Sequence, residues 1–116
     1  MLVCGGRGGV MEAACRGAKA AGGTTVGILP GTDRGEANQY VDVAIATGLG
    51  EMRNALIVRA VDALIAVGGE FGTLSEVALA LKAGKPVVGI GTWDLEPIVR
   101  AQNPAEAVQR ALELAA

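Results

Sequence analysis

Apolar runs of strand length alternate along this chain with longer segments whose apolar residues recur at helical spacing. The short runs cover residues 1–4, 24–29, 41–46, 63–67 and 86–90, and the helical patterns cover 10–21, 51–60, 73–83 and 104–114. A polar loop fills 30–39. Alternation of this kind predicts βαβ units and a parallel sheet with helices packed on it. The punctuation agrees: Gly22-Gly23 and Gly84 fall where helix C-caps belong, and Pro104 follows Asn103 at a helix first turn. In the 51–60 segment Met52, Ala55, Leu56 and Ala60 stand at core spacing, which leaves Arg53 in the first turn and Arg59 toward the end.

Composition narrows the picture. The hydrophobic fraction is 51% but the aromatic fraction is 3%, so the core must be built from Ala, Val, Leu and Ile, as suits helices on a parallel sheet. A length of 116 residues predicts one domain over 1–116 that folds without disulfides or metal. The formal net charge is -2 and the ten basic residues lie singly, which argues against nucleic acid as a partner. No apolar stretch reaches the roughly 18 residues of a membrane span and no basic leader is evident, so the expected location is cytoplasmic. Histidine is absent, which removes Ser-His and Cys-His pairs and the usual zinc sites. Cys4 and Cys15 lack metal-ligand spacing and are expected as small buried residues. Chemistry must then rest on carboxylates, arginines, hydroxyls and backbone amides.

One plan occurs twice. Leu2-Val-Cys-Gly-Gly-Arg-Gly-Gly-Val-Met11 and Ile65-Ala-Val-Gly-Gly-Glu-Phe-Gly-Thr-Leu74 both read as apolar strand, glycine loop, helix. Each puts helix N-terminal amides at the carboxyl end of a parallel strand, with glycines that let a ligand approach, and the pair points to a phosphate-bearing ligand. Neither loop is a standard fingerprint: Met11 stands where G-x-G-x-x-G needs its last glycine, and no G-x-x-x-x-G-K-[ST] occurs. Arg7, inside the first loop, reads equally as a bidentate phosphate clamp and as a solvated loop arginine. Arg53 opposes the dipole of its own helix, a conflict that a bound anion would resolve. Thr73-Leu-Ser-Glu76 matches a capping box, so Thr73 is expected as N-cap and Glu76 as its reciprocal partner beside the loop. Glu70 would repel a phosphate unless it turns away or meets a cationic or hydroxyl-rich part of the ligand.

Together Arg53-Asn54 and Asp62-Ala-Leu-Ile-Ala-Val-Gly-Gly-Glu-Phe-Gly-Thr-Leu-Ser-Glu76 resemble the motifs of the LONELY GUY phosphoribohydrolases, a group often mislabelled lysine decarboxylases. The resemblance implies a Rossmann-like fold and, if the activity carries over, cleavage of the N-glycosidic bond of a nucleoside 5'-monophosphate, with Glu76 and Arg53 as catalytic residues. Lysine decarboxylation is not expected. Gly5-Gly-Arg-Gly-Gly-Val-Met-Glu-Ala-Ala14, Thr25-Val-Gly-Ile-Leu-Pro-Gly31 and Gly68-Gly-Glu-Phe-Gly-Thr73 are more similar to the sister branch that includes molybdenum cofactor carrier proteins. The ligand-binding residues then implied are Gly5, Gly6, Arg7, Gly8, Gly9, Arg53, Gly68, Gly69, Gly72 and Thr73.

The chain departs from the hydrolase pattern in ways that weaken the enzyme reading: Asn54 replaces a lysine, Gly68 a proline and Glu70 a glycine. It also begins at the strand leading into the first glycine loop, so the expected fold is an α/β Rossmann-like parallel sheet flanked by helices and lacking the family's first strand-helix unit. The leading expectation is a binding or carrier protein for a phosphorylated small molecule, a nucleotide or a molybdenum cofactor-like pterin. No cofactor is required, no metal site is expected, and a homodimer or homotetramer is anticipated. A phosphoribohydrolase and a ligand-free oligomerisation domain are the alternatives.

Overall fold

The computed structural model describes residues 1–116. The chain is α/β and forms two compact units, Met1–Ile57 and Val58–Ala116, each a parallel sheet with helices packed on it.

In the first unit β1 (Leu2–Cys4), α1 (Val10–Ala20), β2 (Thr25–Leu29) and β3 (Val43–Ala46) make a three-stranded sheet in the order β1-β2-β3. All pairs are parallel, with Val3 opposite Val26 and Gly27 opposite Ala44. α1 ends as the glycines require: Gly22, at φ 80, follows the C-cap, and the Gly23 amide donates to the Ala18 carbonyl at 2.8 Å. Cys15, Thr25, Ile28 and Leu29 are buried, whereas Val43 and Ile45 on β3 stay about half exposed. The polar loop after β2 is not wholly irregular, since Arg34–Glu36 makes a 3-10 turn whose Gly35 amide donates to the Asp33 carboxylate.

The 51–60 segment opens with a 3-10 turn, Gly50–Met52, and continues as α2 (Arg53–Ala60). Its buried face differs from the predicted one. Asn54, Ile57 and Val58 are buried, while Met52 is 76% and Leu56 41% exposed and Ala60 lies at the surface. The 3-10 turn winds more tightly than the α-helix, so a 3.6-residue stripe started at Met52 is out of phase with the face that packs.

The second unit contains β4 (Leu64–Val67), α3 (Phe71–Lys82), β5 (Val87–Ile90), β6 (Val99–Arg100) and α4 (Pro104–Ala115), with its sheet in the order β4-β5-β6, again all parallel. Alternate residues of β5 serve opposite faces. Val87 joins Val58, Leu64, Ala66, Val77 and Ala80 in a cluster with α3, and Val88 joins Ala101, Ala107 and Ala111 in a cluster with α4. Small side chains let the helices sit close to the strands, as the low aromatic content requires. α4 begins with Asn103 as N-cap, its Oδ1 accepting from the Glu106 amide at 2.8 Å. The end of α2 is fastened by a residue that sequence reasoning passed over: Lys85 Nζ donates to the carbonyls of Val58, Arg59 and Val61 at 2.8, 3.0 and 2.7 Å. Arg59, expected as the charge at that helix end, is exposed in the last turn, and the carbonyls go to the lysine.

Candidate functional site

The first glycine loop, residues 5–9, joins β1 to α1. Gly6 and Gly9 have φ of 77° and 67°, a region that L side chains rarely enter. Gly6 is also packed tightly. A Cβ there would lie 2.9 Å from Leu29 Cδ2 and 3.1 Å from the Gly27 Cα. Asn38, from the loop after β2, holds the carbonyl side: its amide donates to Gly6 O at 2.8 Å and its Nδ2 to Arg7 O at 2.9 Å. The Gly6 amide donates to Cys4 Sγ at 3.3 Å. Arg7 pairs with Glu36 at 3.1 Å on the surface; an exposed pair of this kind contributes little and is easily exchanged for another anion.

Arg53 is the cation built into this loop. A Cβ on Gly5 would stand 2.8 Å from Arg53 Nη2 and 2.8 Å from Met11 Sδ, the outer parts of two flexible side chains that would have to shift, so glycine at position 5 lets the guanidinium lie against the loop backbone. Arg53 Nη1 donates to Oδ1 of Asn54, itself only 6% exposed. Its Nε is buried without a partner, an arrangement that an acceptor would complete. A lysine at position 54 would place a second charge where this buried amide now accepts from Arg53.

Beneath the loop, Cys4 and Cys15 approach to 3.6 Å between sulfurs. Cys15 is buried as expected, and Cys4 is half-buried. Burial pushes the Cys4 thiol up from 9.0 to about 11, against the opposing donation from the Gly6 amide. Such a thiol is protonated at neutral pH and a poor nucleophile.

The second glycine loop, residues 68–70, joins β4 to α3, and here the capping prediction fails. The helix starts at Phe71, two residues early, with Glu70 in extended conformation as N-cap and no side-chain cap. Thr73 is therefore the third helical residue, and Glu76 lies in the second turn. The Leu74 amide already donates to the Glu70 carbonyl at 3.0 Å, so the helix-start amides without an intrahelical acceptor are those of residues 70–73, and Glu70, exposed, sits at their head. Gly68 has a φ of 78°, which accounts for that glycine, but a Cβ at Gly69 or Gly72 would meet nothing within 4 Å. Phe71 is 81% exposed and stacks on Trp93, with ring centroids 6.2 Å apart.

A strand-to-helix glycine loop with an arginine against it in one unit, and a second strand-to-helix glycine loop in the other, on parallel sheets flanked by helices, place the protein in the α/β class. The SLOG cluster4 family matches residues 1–115, and the chain belongs to that family. It is 51% identical over 90 residues to an uncharacterized protein of Archaeoglobus fulgidus, an alignment that covers 78% of this chain and 59% of that protein. Among solved structures it is similar to the molybdenum cofactor binding protein of Rippkaea orientalis, with 41% identity and a TM-score of 0.91 over 99% of this chain and 77% of that one. The molybdenum cofactor carrier protein of Chlamydomonas reinhardtii is similar at 44% identity and a TM-score of 0.84, covering 97% of this chain and 76% of its own. The expected family branch and α/β parallel fold are both borne out.

Proposed function

We propose that the protein binds and carries a phosphorylated small molecule of the molybdenum cofactor kind, using its glycine-rich strand-to-helix loops with Arg53 as the principal cation. The observation that carries this reading is Arg53 itself: a guanidinium admitted by Gly5, held by the buried Asn54, with a buried Nε that has no acceptor. Arginine forks suit phosphate oxygens geometrically as well as by charge. The similar proteins named as molybdenum cofactor binding or carrier proteins supply the class of cargo. Asn54 supports carriage over hydrolysis, because it anchors the arginine and offers no proton for chemistry.

An oligomer belongs to the same proposal. Met52, at the end of the 3-10 turn, and Leu56, in α2, present apolar surface that a second copy would cover. Anaerobic titration of the protein with molybdenum cofactor, followed by gel filtration and measurement of co-eluting molybdenum and pterin fluorescence, tests the assignment. Stoichiometric co-elution is expected, and pterin that elutes only in the small-molecule fraction refutes it.

A further inference from the structure

A cavity of about 520 Å³ opens in the second unit, at the carboxyl end of β5 and against α4, and neither glycine loop lines it. That volume lies in the range of small-ligand sites. Its walls include Thr92, Trp93, Ile98, Arg100, Glu106 and Arg110. The strand beneath is shaped to admit them. A Cβ on Gly89 would stand 2.5 Å from Thr92 Cγ2 and 3.0 Å from Ile98 Cγ2, so only glycine lets the 91–98 segment fold this closely over β5.

The walls hold more donors than acceptors. Trp93 Nε1 and Thr92 Oγ1 are both buried without a hydrogen-bond partner, a condition that buried polar atoms seldom tolerate unless a ligand or water completes them. Arg100 is engaged by Asp94 and Arg110 by Glu106 at 3.2 Å. The first pair is strongly exposed and the second partly so, and surface pairs of this kind yield readily to a better acceptor. The Glu106 carboxylate is the one anionic group in the wall. It already accepts from Arg110 and from the Gln102 amide, and neither the indole nor the hydroxyl donates to it.

We propose that this cavity is a second binding site, distinct from the glycine loops, for a small oxyanion bearing a carboxylate or phosphate group, with Arg100 and Arg110 as the charged donors and Trp93 and Thr92 as the neutral ones. The site does not depend on the carrier reading, since none of its residues belongs to either loop.

Trp93 is the sole tryptophan, so its indole N–H resonance reports on this cavity directly. The ¹⁵N-labelled full chain is titrated with inorganic phosphate and, separately, with citrate, against chloride at matched ionic strength. A saturable indole shift with phosphate, citrate or both, and none with chloride, is expected, and the responding anion identifies the ligand class. Arg100→Met and Arg110→Met, made singly and together on exposed positions, should weaken the response about tenfold or more, while Gly69→Ala leaves it in place. Absence of a saturable shift with either anion overturns the proposal. So does a shift that ignores the arginine variants, or one abolished by Gly69→Ala, because the indole would then be sensing the loop through Phe71.

Discussion

The two glycine loops look alike in sequence and differ in what their glycines do. In the first, Gly5 makes room for Arg53 and Gly6 for Gly27 and Leu29, so these glycines answer to contacts inside the protein. In the second, Gly68 is explained by its positive φ, but Gly69 and Gly72 face open space. The comparison teaches that a glycine pattern mixes two causes, internal packing and external approach. Only positions without an internal cause argue for a ligand near the backbone: Gly69 in the second loop, Gly72 in the first turn of the helix that follows it, and Gly8 in the first loop. The first loop contributes something else, a fixed cation.

Several substitutions would break that contrast if it is wrong. Gly6→Ala carries the largest expected effect, because it combines a positive φ with a backbone neighbour that cannot yield. Loss of about 2–4 kcal/mol in urea unfolding is expected, and a variant as stable as the parent would show that the loop tolerates a side chain. The first loop should also confer a pH dependence. Since the folded Cys4 thiol titrates near 11 and the unfolded one near 9.0, the unfolded chain releases its proton first. The contribution is fully present below pH 9 and lost as pH rises from 9 to 11. Cys4→Ala should flatten the unfolding midpoint in that window, and an unchanged slope would exclude this thiol as its source.

Effects at the second loop should be smaller in stability. Gly72→Ala lies within a helix and meets no neighbour, so stability should hold or rise by up to about 1 kcal/mol, while affinity for a phosphomonoester such as AMP falls. Unaltered AMP affinity would remove position 72 from the site. Thr73→Ala should change stability by less than about 0.5 kcal/mol, because Thr73 caps nothing. A cap substitution such as Asn103→Ala, by contrast, should cost about 1 kcal/mol. Equal losses at the two positions would restore the capping box.

Legibility in the sequence followed the strength of the local signal. Strands β2, β4 and β5 and helix α4 were visible because apolar runs and the Asn103-Pro104 start agree with each other. The β6 strand was not, being two residues that follow Pro97 and rely on pairing with β5. At α3 a Thr-x-x-Glu pattern outweighed Phe71-Gly72, yet the chain turns helical as soon as the loop ends. Arg53 could be picked out as a cation misplaced in a helix first turn, whereas its approach to Gly5 and the hydrogen bonds of Asn38 to Gly6 and Arg7 could not, since both arise from tertiary approach. Lys85 and Trp93 carried no local signal: a lysine before a proline and a tryptophan after a strand acquire their roles only once distant segments converge.

The central claim is that Arg53 holds the phosphate of a carried ligand, and comparison of Arg53→Ala with Glu76→Gln tests it most directly. Affinity for molybdenum cofactor is measured anaerobically for the parent and both variants, with folding checked by thermal melting, and each is assayed with AMP for released ribose 5-phosphate. The account predicts that Arg53→Ala weakens binding by roughly 10- to 100-fold, that Glu76→Gln leaves it nearly unchanged, and that no ribose 5-phosphate appears. Release of ribose 5-phosphate by the parent that Glu76→Gln abolishes, together with unaltered binding by Arg53→Ala, would contradict it and identify the protein as a hydrolase.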